Sequence, residues 1–305
     1  MKKIIIILFA LLSTSSIFAQ ELPISENYFV DPYSLSSAYA GNSSNKAFFA
    51  SYRKDWAGLS EGPRTIRLSY NDGFKTNAGF GGKLIMDKIG IFQSLFVIGS
   101  YSYRVKLTET SKLCFGLSAG LHQNSINFGD YYNDPNFTGD PSMINKDVKS
   151  KMKFISDFSL IYANGRFQSG ILFSNVGISD YKYSEIQVKY SPFMTYQLHA
   201  NYSLPIQEIW TLTPLVIYRG GKNIGNQLEI ASNMMYKNKF WGNIAHRGKS
   251  IFCVGFGMDI SKGIIFNYTY NLSTAVAVNS FQNHELTIGV RLSDLFDKEK
   301  SLAAN

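Results

Sequence analysis

Residues 252–272 decide the fold, because they contain two consecutive segments of alternating side chains, FCVGFGMDISKGIIFNYTYNL. In the first segment the apolar residues at 252, 254, 256, 258 and 260 alternate with small or polar ones. In the second segment the apolar and aromatic residues at 264, 266, 268, 270 and 272 alternate with Ile265 and with the polar residues Asn267, Thr269 and Asn271. Alternation at period two places one set of side chains on each face of a β-strand, and the Ser261-Lys262-Gly263 sequence between the segments is typical of a tight turn.

The same alternation recurs along most of the chain, for example in segments that begin at Leu113, Met194 and Leu286. Apolar residues seldom recur at helical spacing over more than two turns, and no later segment approaches the length of a transmembrane helix. In a water-soluble sandwich the apolar face of each strand would turn inward. In a porin-type barrel it turns towards lipid, and Gly, Ser, Asn and Thr line the lumen. Alternation alone leaves both folds open.

The lengths of the connections favour the barrel. We predict about fourteen strands, at residues 48–54, 64–71, 76–86, 93–104, 111–122, 153–164, 166–175, 193–204, 209–219, 225–236, 239–247, 251–260, 263–272 and 284–293. The even-numbered connections are all tight turns, whereas the long connections, 55–62, 123–152, 177–191 and 273–283, are all odd-numbered. Short periplasmic turns that alternate with longer outer loops are typical of bacterial barrels. We therefore predict an all-β fold, a transmembrane antiparallel β-barrel of the outer-membrane type.

The N-terminus has the composition of a secretory leader. Met1-Lys2-Lys3 precedes an apolar run at 4–12, which passes through small residues to Ala19. This pattern predicts cleavage after Ala19. No cysteine lies near that position, so a lipid anchor is not expected. The predicted organisation is a signal peptide at 1–19, an N-terminal periplasmic or lumen segment at 20–46, an outer-membrane barrel at 47–296 and a C-terminal tail at 297–305.

The composition fits an exported membrane protein. Aromatic residues make up 15% of the chain and charged residues 17%, which suits strands and membrane interfaces. The net charge of +8 is spread along the chain without the basic patch that a nucleic-acid surface needs. Cys114 and Cys253 lie on separate predicted strands, and we predict that both are free thiols. Aromatic residues near predicted strand ends are candidates for interfacial girdles, namely Tyr103, Trp210, Tyr218, Tyr236 and Trp241.

The sequence lacks a convincing catalytic or metal-binding motif. His284-Glu285 has no second histidine four residues after His284, and the segment alternates as a strand. The four histidines lie on separate predicted strands, with His122 and His199 on inward phases. Residues 79–83, GFGGK, lack the spacing of a phosphate loop, and we interpret them as a strand whose glycines face a crowded lumen. We expect no enzymatic activity, no metal and no cofactor.

The most distinctive motifs lie near the N-terminus. They are Asn27-Tyr28-Phe29, Ser37-Ala38-Tyr39-Ala40-Gly41, Ala50-Ser51-Tyr52-Arg53-Lys54-Asp55-Trp56 and Gly62-Pro63-Arg64-Thr65, and two later strings, Asp134-Pro135-Asn136-Phe137 and His284-Glu285-Leu286, agree with them. Together they resemble the PorP/SprF family of Bacteroidetes outer-membrane proteins. Chains of that family begin with an Asn-Pro-Ala-Tyr-Ala-Gly string, a Tyr-Arg-x-Gln-Trp string and a Gly-x-Pro turn. This chain has Ser36-Ser37 where the family usually has Asn-Pro, and Asp55 where it usually has Gln.

The resemblance implies a role in the type IX secretion and gliding machinery. It implies an anchor in the cell outer membrane for periplasmic ring or peptidoglycan-linking proteins, and support for the export or surface attachment of a large secreted adhesin. The implied partners are outer-membrane lipid, those periplasmic proteins and the adhesin cargo, without nucleic acid. The candidate partner-binding residues are Tyr39, Tyr52, Arg53, Trp56, Pro63, Asp134 and Phe137.

Alternatives to this interpretation stay open. Arg53 could instead neutralise a lumen carboxylate such as Asp157 or Glu229, and Trp56 could anchor the barrel rim. At the level of function, the main alternative is a passive channel for hydrophobic or small polar solutes, with residues 20–46 as a plug in the lumen. An outer-membrane hydrolase is a third possibility, but the scattered histidines count against it.

Overall fold

The computed structural model describes residues 24–41, 46–73, 77–127, 148–174, 195–221, 224–261, 263–273 and 282–292. In these residues the dominant element is a set of fourteen long strands. They are β1 (Ala47–Lys54), β2 (Arg64–Gly73), β3 (Ala78–Ile89), β4 (Phe92–Lys106), β5 (Ser111–Ile126), β6 (Lys153–Asn164), β7 (Phe167–Ser174), β8 (Thr195–Tyr202), β9 (Trp210–Gly221), β10 (Ile224–Tyr236), β11 (Phe240–Arg247), β12 (Ile251–Ser261), β13 (Ile264–Ser273) and β14 (Gln282–Arg291). Two shorter segments, Val148–Lys149 and Leu204–Ile206, pair with β5 and β9.

The strands form one closed antiparallel sheet. Each strand pairs with the next along the chain, and β14 pairs with β1, where Ala47 lies opposite Arg291 and Lys54 opposite His284. The sheet therefore has no free edge between its first and last strands, which is what a membrane-spanning sheet requires. The predicted antiparallel barrel of about fourteen strands is confirmed.

The apolar face of the sheet points outwards. In β12, Phe252, Val254 and Phe256 are about half exposed, whereas Cys253 between them is buried. In β11 the most exposed large apolar residue is Ile244, at 64%. A water-soluble fold would forfeit roughly 1.5–3 kcal/mol for each such side chain left in water. The outward face is thus built for lipid, and the sandwich alternative is excluded.

The ends of the barrel differ in their connections. The turns at 107–110, 165–166 and 237–239 are short and lie at the end where β1 begins and β14 finishes. Lys237 and Asn238 both have positive φ, as expected for a two-residue hairpin turn. This is the periplasmic end, because bacterial barrels place their short turns and both ends of the barrel sequence, here the start of β1 and the end of β14, on the periplasmic side. The connection 55–63 lies at the opposite, outer end, and so do the strand ends that flank the predicted long connections.

The lumen holds residues 24–41, here called the plug. The plug contains three short 3-10 turns, Asn27–Phe29, Pro32–Ser34 and Ser37–Tyr39. It runs from the outer half of the lumen to the periplasmic end, where Arg104 donates to the carbonyl of Gly41. Within the described residues no helix is long and apolar enough to cross a membrane.

Glycines in the wall make room for the plug. A Cβ at Gly79 would clash with the carbonyl of Ala40, and a Cβ at Gly116 would clash with the backbone of Ala38. A Cβ at Gly81 would enter the ring of Tyr33. Gly82 points the other way and meets nothing closer than 3.9 Å. The interpretation of residues 79–83 as a strand facing a crowded lumen therefore holds for Gly79 and Gly81, but not for Gly82.

The girdle prediction needs one correction. Trp241 is 9% exposed and faces the lumen, where its indole N–H donates to Asn267 at 2.9 Å. Gly257, directly opposite on β12, leaves space for the indole ring. Trp210 and Tyr103 do lie on the outer face, 37% and 45% exposed. The side of the sheet on which an aromatic residue lies is thus set by its strand phase, not by its position near a strand end.

Three predictions lie outside the described residues. They are the signal peptide at 1–19, the tail at 297–305 and the two loop residues Asp134 and Phe137.

Candidate functional site in the barrel lumen

The outer part of the plug is held by buried charges. The Glu26 carboxylate accepts hydrogen bonds from Arg247 at 2.6 Å, from Asn271 at 2.9 Å and from Arg53 at 3.3 Å. Glu26, Arg53 and Arg247 are each at least 93% buried. Burial by itself raises the pKa of Glu26, but the nearby guanidinium groups, led by Arg247 and Arg53, outweigh it and hold that pKa at about 2. Glu26 is therefore ionised across the physiological pH range.

The next plug residues join the two strands that close the barrel. The Asn27 side-chain amide donates to Glu285 on β14 at 2.7 Å and to Ser51 on β1 at 3.0 Å. Ser25 and the backbone N–H of Glu26 also donate to the Glu285 carboxylate, at 2.8 and 2.9 Å. Because charge-assisted hydrogen bonds are stronger than neutral ones, these contacts tie the plug firmly to the seam between β1 and β14.

The plug also contacts a second ion pair, on β9 and β10, where Glu229 lies opposite Arg247 of the neighbouring strand. The Tyr28 hydroxyl donates to Glu229 at 2.7 Å, and Glu229 is also bound by Arg219. Glu229 is fully buried. A buried carboxylate of this kind is tolerated only when charges and donors compensate it. Tyr28 supplies one of those donors from the plug.

The inner part of the plug is held by hydrogen bonds with serine hydroxyls and by a cation–π contact. Ser69 donates to Asp31 at 2.6 Å, and burial raises the pKa of that aspartate. Tyr33 donates to Ser100 at 2.8 Å, and the ammonium group of Lys83 lies 4.1 Å from the Tyr33 ring centroid.

Towards its periplasmic end the plug binds β6 and β8. Ser37 and the backbone N–H of Ala38 contact the Ser159 hydroxyl at 2.7 and 2.9 Å. The Tyr39 hydroxyl lies 3.1 Å from Nε2 of His199. An apolar cluster completes the interface, formed by Tyr28, Leu35, Ala38, Tyr39, Cys114, Ile161, Leu215, Ile217, Ala231, Ala245 and Cys253. The plug is thus packed as a protein core inside the barrel.

A pocket opens beside the plug at the periplasmic end. Its apolar walls are Phe29 and Val30 from the plug together with Trp241 and Ile265 from the barrel, and its volume is about 270 Å³. The ion pair of Asp259 and Arg291 also lines it. Asn238, in a periplasmic turn, also lines it. Apolar side chains that stand at an aqueous opening are a common feature of protein-binding sites.

The structure separates the predicted partner-binding residues. Tyr39 and Arg53 are buried in the lumen, and both contact other lumen groups. Tyr52 lies on the lipid-facing side, 44% exposed. Trp56 is in the outer connection, 38% exposed, and its backbone N–H donates to Asn283 at 3.1 Å. Pro63 is buried in the same connection and accepts a hydrogen bond from the Asp55 N–H.

Arg53 neutralises lumen carboxylates, as the alternative interpretation predicted, but they are not the two that the sequence suggested. It pairs with Asp55 at 2.8 Å and with Glu26 and Glu285 at 3.3 and 3.8 Å, not with Asp157 or Glu229. Glu229 is compensated instead by Arg219 and Tyr28. The strand of Arg53 pairs with the strand of Glu285, which brings those two side chains together.

The roles of Glu26, Arg247 and Glu285 were not predicted from the sequence. All three are charged and buried. For the two strand residues a signal was present, because each occupies the phase of its strand whose neighbours are small or polar. No such signal exists for Glu26, since the plug has no regular strand periodicity.

The cysteine and histidine predictions can be checked in the same region. Cys114 and Cys253 are free thiols, as predicted, and both are buried against the plug. His122 and His199 face inward, 6% and 4% exposed. Among the described residues, no three His, Cys, Asp or Glu side chains are grouped closely enough to hold a metal ion.

A closed sheet with a lipid-facing apolar belt and an internal plug defines a transmembrane β-barrel of the outer-membrane type. The chain belongs to the family of type IX secretion system membrane proteins PorP/SprF, whose family model matches residues 17–290. It is therefore a membrane component of that secretion system, and its location is the outer membrane. No curated protein gives a significant sequence match.

Several solved outer-membrane barrels have a similar arrangement of strands. The Ralstonia pickettii toluene transporter TbuX is 11% identical, with a TM-score of 0.48 over 88% of this chain and 94% of that one. The P. putida toluene transporter TodX is 12% identical, with a TM-score of 0.49 over 83% and 91%. The Acinetobacter baumannii outer membrane protein Omp33 is 9% identical, with a TM-score of 0.47 over 82% and 99%. At these values the similarity carries no information about function.

Proposed function

We propose that this protein is a non-enzymatic scaffold of the type IX apparatus, which anchors periplasmic machinery components and supports the export or surface attachment of a large secreted adhesin. The observation that carries the proposal is the plug, held across the lumen by the buried ion pairs of Glu26 and by hydrogen bonds to the barrel carboxylates of Glu229 and Glu285. A filled lumen gives a rigid body, and its two ends are left for partners.

The periplasmic pocket is the surface we assign to the machinery. Its apolar walls at Phe29, Val30 and Trp241 combine plug and barrel residues. A partner that inserts an apolar side chain there would contact both parts at once. The outer connection that contains Trp56 and Pro63, and the loop that contains Asp134 and Phe137, are the surface we assign to the adhesin.

Photo-crosslinking in living cells tests this proposal. A photoreactive amino acid replaces Asn238, which lines the periplasmic pocket, or Ser60, which is exposed in the outer connection. We expect Asn238 to capture a periplasmic type IX component and Ser60 to capture secreted adhesin. Lipid-facing Ile244 is the control position, where only lipid is expected. If neither Asn238 nor Ser60 captures a type IX protein or an adhesin, the scaffold proposal is wrong.

The passive-channel alternative predicts a conducting lumen. The plug stands against it, because residues 24–41 contact β1, β2, β4, β6, β8, β10, β11, β13 and β14 through side chains on the inner face. Planar-bilayer recordings of the purified protein decide between the two. A steady conductance in the wild-type protein would favour the channel.

A further inference from the structure

A second cavity lies in the outer half of the lumen, on the side of the plug away from the periplasmic pocket. Its floor is formed by Ile24, Tyr28 and Leu35 of the plug. Its walls reach the outer ends of β7, β8, β9 and β10, at Ser174, Thr195, Gly220 and Gly225. The cavity therefore faces the outer side of the membrane, not the periplasm.

The lining of this cavity has two chemical faces. Ile24, Leu35 and Leu172 give it an apolar body. Arg67 and Arg219 are the charged residues in the lining, and no carboxylate lines it among the residues that the structure describes. The carboxylates that balance these arginines, such as Glu229, lie outside the lining. A ligand in the cavity therefore contacts the two guanidinium groups directly, whereas the carboxylates that balance them lie behind the lining.

The size of the cavity limits the ligand. Its volume is about 180 Å³. A dry apolar cavity of roughly 150 Å³ is large enough to hold benzene. One ring, or an aliphatic chain of similar volume, fits against the leucines, with a small polar group beside the arginines.

We propose that this cavity binds a small organic acid, with its carboxylate at Arg67 and Arg219 and its apolar body against Leu35 and Leu172. Guanidinium groups bind planar carboxylates through paired hydrogen bonds, which a neutral amide does not match. Arg67 is 92% buried, so its contact with a carboxylate is shielded from water. This site is separate from the periplasmic pocket and does not depend on the scaffold role.

Binding of benzoate and benzamide to the purified full-length barrel tests the proposal. The two probes have the same shape and differ in charge. By isothermal titration we expect saturable benzoate binding, roughly tenfold or more tighter than benzamide, as the loss of a charge-assisted pair implies. Equal affinities for the two probes, or no saturable benzoate binding, would overturn the assignment.

Two variants locate the site. A Cβ at Gly225 meets nothing within 4 Å, so Gly225→Trp fills the cavity mouth without removing a charge. We expect it to abolish benzoate binding. Arg67→Gln should remove the preference for benzoate over benzamide, whereas Arg166→Gln, in an exposed periplasmic turn, should leave it unchanged. Benzoate binding that survives Gly225→Trp would show that the acid binds elsewhere.

Arg67→Gln could also disturb the plug, since Asp31 and Glu285 interact electrostatically with Arg67. Labelling of the buried thiol of Cys253 by a water-soluble maleimide reports this, because the plug covers that residue. If the thiol becomes reactive in Arg67→Gln, the proposal is judged by two other results: benzoate binding to Gly225→Trp, and the preference of the wild-type protein for benzoate over benzamide. Both results are defined without Arg67→Gln.

Discussion

Replacement of Glu26 by Gln tests whether buried charges hold the plug in place. The variant keeps the size of the side chain and removes the charge that Arg53 and Arg247 share. The pKa of Glu26 lies at about 2 against an ordinary value of 4.5. That difference of about 2.5 corresponds to about 3 kcal/mol in favour of the docked plug, because one pKa unit is worth about 1.4 kcal/mol. Removal of one partner from a buried ion pair typically costs about 3–5 kcal/mol, which agrees.

The loss should appear as exposure of the native thiols. A change of about 3 kcal/mol raises the population of the released plug about 100-fold. Cys114 and Cys253 are buried against the plug, so their rates of labelling by a water-soluble maleimide should rise by a similar factor. The matched control is Glu109→Gln, which removes an exposed ion pair with Lys106 in a periplasmic turn and should leave the rates unchanged.

The difference in labelling rate between the wild-type protein and Glu26→Gln should decrease as the pH is lowered. The docked pKa of Glu26 is depressed, so its contribution is fully present above pH 4.5 and is lost as pH falls towards 2. The gap between wild-type and Glu26→Gln in labelling rate, each normalised to the unfolded protein at the same pH, should therefore close over that window. An unchanged labelling rate in Glu26→Gln at neutral pH, in a barrel that still shows heat-modifiable electrophoretic mobility, would refute the reasoning.

Other predictions follow from the wall of the barrel. Gly116→Ala should release the plug and raise Cys114 labelling, because the added Cβ meets the Ala38 backbone, whereas Gly82→Ala should not. Val254→Arg, on the lipid face and 52% exposed, should lower the free energy of unfolding in lipid vesicles by about 2–4 kcal/mol, measured by urea titration; a shift near zero would argue that this face does not meet lipid. In planar bilayers the wild-type protein should stay closed and Glu26→Gln should show intermittent openings, and identical traces would contradict a plug held by Glu26.

Much of the barrel could be predicted from the sequence because alternate residues of each strand face lipid and the lumen, and their polarity differs accordingly. Phe252, Val254 and Phe256 meet lipid, and the residues between them meet the lumen. The long connections are all odd-numbered, and this pattern predicted which end of the barrel is periplasmic. The same logic should have placed Tyr52 outside, since Arg53 beside it faces inward.

The plug could not be predicted in the same way. Its short 3-10 turns follow no period of two or 3.6, and the contacts of Glu26 with Arg247 and Asn271 span more than 200 residues of sequence. Which lumen carboxylate meets Arg53 depends on strand register and on the path of the plug, and neither is encoded locally. The motif residues Asn27 and Tyr39 were recognisable as distinctive, but their hydrogen-bond partners were not.

The contacts of Asn27 with both Ser51 and Glu285 have a consequence for biogenesis. The plug precedes the first strand in the chain, yet it contacts the last one, so its docking and the closure of the barrel share the same residues. Once docked, it holds β1 and β14 side by side. A shift of one residue in the register between β14 and β1 would turn the inner side chains of β14 towards lipid. The hydrogen bonds between Glu285 and the plug would then be lost. The docked plug and the correct register between β1 and β14 therefore support each other.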